Sequence, residues 1–325
     1  MGRQALIVIA GPTAVGKSEL AAEVGRRIDG EVISADSMQV YRYMDIGSAK
    51  ITLEEMLGVP HHMIDVVDPF DEMDAARYAA MARKCIQEIA GRGHIPILCG
   101  GTGFYIQAVT RNIDFTEMEP DPAYRSALQE YAEVHGNAAL HEQLRQADPA
   151  AAEAIHPNNV KRVIRALEFY HLTGRQISGH NAAQKLRETP YDLHFFVIED
   201  EREALYERID KRVDFMIGAG LMDEVAYLKA MGLGRQHVSM QGLGYKEMLD
   251  FLDGRISFEE AVRIIKRDSR HYAKRQLTWF RRERDAVRLN RADFGGSTER
   301  VMEALLRELK DRAGIAAKEV GRPYE

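Results

Sequence analysis

Residues 11–18 match the pattern G-x-x-x-x-G-K-S and stand between an apolar run and a segment of helical periodicity. Glycines at both ends let the backbone curl so that successive N–H groups point inward, and the following helix adds the positive end of its dipole. Lys17 supplies a cation to the outer phosphate, and the Ser18 hydroxyl is a ligand for Mg²⁺. The sequence therefore predicts a P-loop that binds two linked phosphates through Gly11, Pro12, Thr13, Ala14, Val15, Gly16, Lys17 and Ser18. A nucleotide is the usual ligand of such a loop, but any diphosphate would fit it.

Asp36 and Thr102 each follow closely on an apolar run typical of a buried strand, residues 31–35 and 95–99. The carboxyl ends of the strands in an open α/β sheet form the edge at which ligands bind. Three roles stay open for Asp36: holding Mg²⁺ through water, acting as a general base, or capping the next turn. Thr102 offers a hydroxyl within a glycine-rich turn that permits close backbone approach, although an ordinary turn has the same composition.

Three further groups carry basic or amide side chains at spacings that suit an anion. Arg208 and Arg212 are four residues apart on a predicted helix, so both guanidiniums fall on one side. There they suit phosphate oxygens, or they form an ordinary surface pair. Residues 241–246, with the sequence QGLGYK, combine a glycine turn with an amide, a phenol and an ammonium. The third group stands near the start of another predicted helix: Lys161, Arg162 and Arg165.

Six short apolar runs predict strands, at residues 5–10, 31–35, 62–67, 95–99, 193–198 and 286–289. Helical periodicity separates most of them, and strands that alternate with helices favour a parallel sheet covered on both faces. The alternation stops after Asn112, and strand patterns resume near residue 193. We therefore predict an α/β fold with a mostly helical insertion domain. The predicted domains are residues 1–115 as the first part of the core, residues 116–189 as the insertion, and residues 190–325 as the rest of the core with basic C-terminal helices.

The chain of 325 residues is slightly acidic, with 44 basic and 50 acidic side chains and a formal net charge of −6. This excludes a globally basic nucleic-acid coat protein but leaves room for a local basic surface. No apolar stretch reaches the ~20 residues of a membrane helix, and the first apolar run ends in a glycine turn rather than a cleavage site. We therefore expect a cytoplasmic protein with no membrane partner.

Residues 255–291 form the most basic segment, with twelve basic and five acidic side chains. Ser257 and Glu260 have the spacing of a capping box and predict that a helix begins there. On that helix, one face carries a row of cations: Arg263, Arg267, Arg270 and Lys274. Because few acids stand nearby as i,i+4 partners in the sequence, we favour anion binding over a solvated charged face.

Taken together, these segments resemble the bacterial family of tRNA dimethylallyltransferases, also called tRNA isopentenyl-diphosphate transferases. The matching stretches, in family order, are GPTAVGKS, ISADSMQVY, CGGTGFY, HPNNVKRVIRALE, RIDKRVDFM with GLMDEV, and QGLGYKE. The P-loop alone would not separate this family from kinases, whereas the six stretches together are specific, and none departs from the family's pattern. The resemblance implies a P-loop NTPase-like parallel sheet flanked by helices.

The resemblance also implies a reaction. Dimethylallyl diphosphate donates its prenyl group to the exocyclic amine of the adenine 3′ of the anticodon, and pyrophosphate leaves, with Mg²⁺ as cofactor. Asp36 is then the catalytic base, Thr102 a positioning hydroxyl, and Lys17 and Arg212 catalytic cations beside the diphosphate, which Arg208 would also bind. A monomer is expected, with the anticodon stem-loop of tRNA as its partner. The residues expected to contact tRNA are Asp36, Ser37, Met38, Gln39, Thr102, Arg125, Asn159, Val160, Lys161, Arg162, Val163, Gln241, Gly242, Gly244, Tyr245, Lys246, Arg267, Arg270 and Lys274.

Two other functions stay open. A P-loop kinase that phosphorylates a small metabolite with ATP explains the P-loop but leaves the basic segment unexplained. A non-enzymatic RNA-binding module would carry a decayed P-loop, and the intact Lys17 and Ser18 speak against it.

Overall fold

The computed structural model describes residues 3–113, 121–185 and 187–318. Its sheet has six strands: β1 Gln4–Ala10, β2 Gly30–Ser34, β3 His61–His62, β4 Ile95–Gly100, β5 Tyr191–Glu199 and β6 Val287–Asn290. They run in the order β3-β2-β4-β1-β5-β6, and every neighbouring pair is parallel. The predicted parallel α/β fold is therefore confirmed.

Helices precede, separate and follow these strands. In chain order they are α1 Lys17–Ile28, α2 Ala75–Gly91, α3 Gly103–Thr110, α4 Pro122–His135, α5 Asn137–Ala147, α6 Pro149–Ala154, α7 Val160–Thr173, α8 Ile177–Lys185, α9 Arg202–Gly218, α10 Leu221–Ala230, α11 Tyr245–Leu252, α12 Phe258–Phe280 and α13 Thr298–Ala313. None of the helices within the described residues is both long and apolar enough to cross a membrane.

The third strand is much shorter than the apolar run of residues 62–67 predicts. It ends at His62, because Met63 and Asp65 adopt the left-handed conformation, with φ of 62° and 56°. Extended backbone cannot continue through such residues. Further along the same apolar run, Val67 forms an isolated parallel β-bridge with Tyr41.

The central strand β1 is apolar on both faces, and residues 6–10 are fully buried. This pattern is typical of a parallel strand covered by helices on either side. On one side, Leu20 and Val24 of α1 pack in the same core as Ile7 and Ile9. The packing places the carboxyl ends of β1, β2 and β4 together, which is where the P-loop, Asp36 and Thr102 lie.

The chain divides into two compact units. One comprises Met1–Thr110 and Pro190–Glu325 and holds the sheet. The other, Arg111–Thr189, is helical throughout its described elements, α4–α8, and has its own core around Leu140, Leu144 and Val163. The sequence-based boundary at residues 115 and 116 lies outside the described residues.

Candidate functional site

The P-loop connects β1 directly to α1, as its sequence pattern requires. Gly11 has φ of 152°, and a Cβ atom there would lie 2.4 Å from the carbonyl oxygen of Ile198, so only glycine fits without a shift of the backbone. Gly16 has φ of 92° and is the N-cap of α1. The loop therefore presents backbone N–H groups and a helix N-terminus at the sheet edge, which is a site suited to phosphate.

Lys17 bends back over the P-loop, and its Nζ donates a hydrogen bond to the Pro12 carbonyl oxygen at 2.6 Å. Burial, together with the positive charge of Arg212, lowers the pKa of Lys17 to about 8, although Cys99 and Asp36 act in the opposite direction. Burial thus disfavours the charged form of Lys17. A bound diphosphate would stabilise the charged form.

Asp36 caps the turn that follows β2. Its Oδ1 accepts hydrogen bonds from the backbone N–H groups of Met38, at 2.8 Å, and Gln39, at 3.4 Å. The capping role that the sequence left open is therefore real. None of the hydrogen bonds in the described part of the chain engages Oδ2, and Asp36 lines a cavity, so this second oxygen can still accept a proton.

Thr102 joins the loop after β4 to the loop after β2. Its Oγ1 accepts a hydrogen bond from the backbone N–H of Ser37 at 3.1 Å, and its own N–H donates to the Ala35 carbonyl at 3.1 Å. These two bonds hold Asp36 and Thr102 at neighbouring strand ends, which is the arrangement that the sequence predicts.

A cavity of about 420 Å³ lies at this edge of the sheet. Its wall includes the charged or polar side chains of Thr13, Asp36, Arg212, Lys246 and Tyr272. Its apolar wall is formed by Met38, Met73, Ile209, Val213, Met216 and Ile265. A ligand with an anionic part and a short apolar part would match this combination.

The structure separates the two arginines that the sequence could not. Arg212 lines the cavity, where burial lowers its pKa while the charges of Asp36 and Glu55 raise it. Arg208 is not among the residues that line the cavity, and its Nε lies 3.5 Å from Oδ2 of Asp200. The geometry therefore favours Arg212 as the cation that reaches a ligand.

Three residues with prominent contacts at the site were not singled out in the sequence. Gln276 of α12 accepts a hydrogen bond from the Thr13 backbone N–H and donates one to the Gly101 carbonyl. Arg291 is only 5% exposed, and its NH1 donates to the Val15 carbonyl at 3.4 Å. Glu224 accepts hydrogen bonds from three successive backbone N–H groups, those of residues 45–47. The partners named here are 175 to 276 residues away in the sequence, so no local pattern marks these three residues.

The QGLGYK turn contributes to the site unevenly. Gln241, Gly242 and Lys246 line the cavity. Tyr245 is fully buried, and its hydroxyl donates to Glu224 Oε1 at 2.7 Å. A direct contact between the Tyr245 side chain and RNA is therefore contradicted. The neighbouring Gly244, also buried, is the N-cap of α11.

Gln39 is also unavailable for the RNA contact that is expected from the sequence. Its side chain is 8% exposed, accepts a hydrogen bond from the Ser34 hydroxyl at 2.9 Å and donates to the Ala49 carbonyl at 3.2 Å. This amide holds the loop after β2 and faces the protein, whereas Ser37 and Met38 line the cavity.

The residues of the helical unit that are expected to bind RNA differ in solvent exposure. Asn159, Lys161 and Arg162 are exposed at the start of α7, and Val160 is half-buried. Val163 is fully buried, so its side chain cannot contact RNA. Arg125 donates two hydrogen bonds, at 2.7 and 2.8 Å, to the buried carboxylate of Glu168. Arg125 therefore links α4 to α7.

The basic row of α12 is partly neutralised. The helix begins as predicted, with the Ser257 Oγ accepting from the Glu260 N–H at 3.2 Å. Arg270, however, donates to both oxygens of Asp210, at 2.5 and 2.8 Å, and Arg267 donates to Asp268 at 2.7 Å. The premise concerned i,i+4 partners within the helix, whereas α9 supplies Arg270 with an acid that is 60 residues away in the sequence. The expectation of anion binding therefore does not extend to Arg270.

Lys274 is exposed on the same helix, and no acidic oxygen within the described residues lies within 4.0 Å of its ammonium. It is thus a more available cation than Arg270. Of the four cations predicted in this row, Arg263, Arg267 and Lys274 are exposed, and Arg270 is half-buried. Arg263 is paired with Glu260 of the same helix.

Known proteins resemble the chain over most of its length. The family model described as IPP transferase matches residues 39–283, a match that begins after the P-loop and Asp36. A curated tRNA dimethylallyltransferase of Lachnoclostridium phytofermentans is 53% identical over 300 residues, which are 92% of this chain and 96% of that protein.

Solved structures agree with the sequence relatives. The crystal structure of a full-length tRNA isopentenylpyrophosphate transferase from Bacillus halodurans has a TM-score of 0.71 and 44% identity, and the alignment covers 96% of this chain and 99% of that one. A eukaryotic dimethylallyltransferase acting on tRNA has a TM-score of 0.81 and 30% identity, covering 97% of this chain and 81% of that one.

Proposed function

The chain belongs to the IPP transferase family, and on that premise we propose that it is a tRNA dimethylallyltransferase. The family resemblance carried by the six motifs is confirmed. In the proposed reaction, the bond between the allylic carbon and the diphosphate oxygen breaks, and a bond forms from that carbon to the exocyclic amine of adenine. The adenine is the one 3′ of the anticodon, and pyrophosphate leaves.

The observation that carries this proposal is the wall of the 420 Å³ cavity, where Thr13 of the P-loop, Arg212 and Asp36 meet apolar side chains. Negative charge develops on the diphosphate as it leaves. The P-loop N–H groups, the Lys17 ammonium and the Arg212 guanidinium would stabilise that charge in a partly dry site. The apolar side chains suit the five-carbon prenyl group.

Asp36 is the proposed general base. The lone pair of an adenine amine is delocalised into the ring, so the amine is a poor nucleophile unless its proton is removed as the new bond forms. Oδ1 is fixed by the turn, which orients the carboxylate, and Oδ2 would take the proton. Thr102, tied to Ser37, would help to position the amine.

The Ser18 hydroxyl is the proposed ligand for Mg²⁺. It is an exposed, hard oxygen donor in the first turn of α1, next to Lys17. In the described ranges, no group of three or more His, Cys, Asp or Glu side chains could hold a metal ion. One protein ligand nevertheless fits Mg²⁺, which commonly keeps several waters and takes other ligands from substrate phosphates. When bound, the ion would help to neutralise the leaving group.

The acceptor adenine must leave its stack to reach such a cavity, so we propose that it is flipped out of the anticodon loop. We propose that tRNA phosphates bind to four exposed basic side chains, those of Lys161, Arg162, Arg267 and Lys274. The affinity for tRNA would then depend on salt concentration. Because tRNA is the substrate, we expect the protein to act in the cytoplasm, as a monomer.

Transfer of a labelled dimethylallyl group to an unmodified anticodon stem-loop tests the proposal, with Mg²⁺ present and ATP absent. We expect label on the RNA. If folded protein transfers no label to a suitable RNA but hydrolyses ATP, the proposal fails and the P-loop kinase replaces it.

A further inference from the structure

Gln276 bridges the two loops that follow the neighbouring strands β1 and β4. It belongs to α12, and its side chain is 5% exposed. The amide oxygen accepts a hydrogen bond from the Thr13 backbone N–H at 2.8 Å. The amide nitrogen donates to the Gly101 carbonyl oxygen at 2.9 Å. One planar group thus bonds to the P-loop and to the loop of residues 100–103, which we call the acceptor loop.

The fit around this amide is tight. A Cβ atom at Gly101 would lie 2.1 Å from the Gln276 Nε2, so the glycine is needed for the approach. Replacing the amide with an apolar group would leave the Thr13 N–H and the Gly101 carbonyl without this partner. Buried backbone groups rarely remain unsatisfied, so both loops would be expected to shift.

Two neighbours on the same face of α12 contact the acceptor loop as well. Tyr272, one turn before Gln276, lines the cavity. Burial raises the pKa of its phenol, while its neighbours Thr102 and Gln276 act in the opposite direction. Trp279, in the next turn, packs so closely that a Cβ atom at Gly103 would lie 2.2 Å from its ring. Residues 272, 276 and 279 therefore form one stripe against the loop.

We propose that Gln276 is a positioning residue for prenyl transfer, because its amide fixes the distance between the P-loop and the acceptor loop. This inference rests on the proposed function. The P-loop would hold the leaving diphosphate, and the acceptor loop carries Thr102 beside Asp36. Transfer requires the allylic carbon and the amine to meet in line, and a displacement of about 1 Å can cost about 100-fold in rate.

The first test compares steady-state transfer by the wild type and Gln276→Leu. We expect kcat to fall about 10- to 100-fold. The KM for dimethylallyl diphosphate should rise, while the dissociation constant for the stem-loop RNA stays unchanged. Thr278→Ala is the matched control, because Thr278 is exposed on the same helix and, among the residues that the structure describes, its hydroxyl bonds within that helix alone, to the Lys274 carbonyl. It should behave as the wild type.

Gln276→Glu keeps the shape and supplies the test if Gln276→Leu fails to fold. A protonated carboxyl has one donor and one acceptor, as the amide does, whereas a carboxylate has no donor. The ratio of Gln276→Glu activity to wild-type activity should therefore rise as pH falls from 8 to 6. Lys17, Asp36 and Tyr272 are present in both proteins, so the ratio reports chiefly on the group at position 276. A merely structural role would leave the ratio independent of pH.

Two outcomes overturn the inference: wild-type kcat and KM in folded Gln276→Leu, or a pH-independent ratio for Gln276→Glu. If the proposed function fails, the wild type itself transfers no dimethylallyl group, which is a different result. In that case, calorimetric titration can still compare how the wild type and Gln276→Leu bind magnesium pyrophosphate. Equal affinities of the two proteins for magnesium pyrophosphate would also reject the inference.

Discussion

Lys17 and Asp36 are held in different ways within one small site. Burial and the positive charge of Arg212 lower the pKa of Lys17 to about 8, and its ammonium donates a hydrogen bond to the Pro12 carbonyl of its own loop. Asp36 commits one oxygen to the turn after β2 and keeps the other for the cavity. At the residue scale, therefore, the site combines two groups. One is the Lys17 ammonium, whose charge an anionic ligand would stabilise, and the other is the Asp36 carboxylate, which the turn after β2 orients.

Lys17 should make pyrophosphate binding depend on pH. Its pKa is lowered, so the free protein loses this charge as pH rises through about 8. Above that value, we expect the affinity of the wild type for magnesium pyrophosphate, divided by that of Lys17→Met, to fall by up to about tenfold per pH unit. Calorimetry between pH 7 and 9.5 measures this ratio. A constant ratio would show that Lys17 stays charged throughout.

The two roles of Asp36 should separate in Asp36→Asn and Asp36→Ala. Asparagine keeps an oxygen that can cap Met38, so we expect normal thermal stability and RNA affinity, with transfer reduced about 10²- to 10⁴-fold. Alanine removes the cap as well and should lower the melting temperature. Transfer assays on both variants test the catalytic role, and thermal melts test the capping role. Near-normal transfer by Asp36→Asn would show that Asp36 is not the general base.

The helix α12 combines three tasks along its 23 residues. Ala261, Ile265, Ala273 and Phe280 are buried, Gln276 bonds to the catalytic loops, and Lys274 faces solvent. Arg270 instead forms an ion pair with Asp210 of α9 and so contributes to packing. A basic helix is thus both an RNA-binding candidate and the support of the active site.

The exposed cations of α12 should account for part of the salt dependence of RNA binding. We expect the double variant Arg267→Ala, Lys274→Ala to bind the stem-loop more weakly and to reduce the slope of log affinity against log salt by about 2. Arg307→Ala, Lys310→Ala on α13 removes the same charge from exposed positions elsewhere and is the control. Equal slopes for the two double variants would remove α12 from the RNA-binding surface.

The whole molecule divides its predicted binding tasks between two units with separate cores. The sheet unit contains every residue of the cavity and the P-loop. The helical unit contains Lys161 and Arg162, exposed in the first turn of α7. We therefore expect diphosphate binding and RNA binding to be separable by substitution.

Lys161→Ala, Arg162→Ala should weaken stem-loop binding and leave the calorimetric affinity for magnesium pyrophosphate unchanged. The RNA effect follows from the loss of two phosphate contacts, and the second result follows because the P-loop belongs to the other unit. Arg145→Ala, Arg175→Ala removes two exposed charges from the same unit as a control. If the control weakens RNA binding equally, only net charge matters and the contact assignment is wrong.

The sequence by itself determined the features that are local in the chain. The P-loop follows from glycine positions and the adjoining strand and helix, and Asp36 and Thr102 follow from strand ends, because backbone conformation and sheet edges depend on neighbouring residues. One local reading failed where Met63 and Asp65 end β3 early. The roles of Tyr245 and Gln39 as buried supports were not visible either.

Only the tertiary structure decided which distant side chains meet. Arg212 rather than Arg208 reaches the cavity, Asp210 neutralises Arg270, and Gln276 bonds to groups 175 and 263 residues away. Such contacts arise when packed helices bring positions that are remote in the sequence within hydrogen-bond distance. Spacing along the chain therefore does not predict them. The chemistry of the site was therefore predictable, whereas its support by α10 and α12 was not.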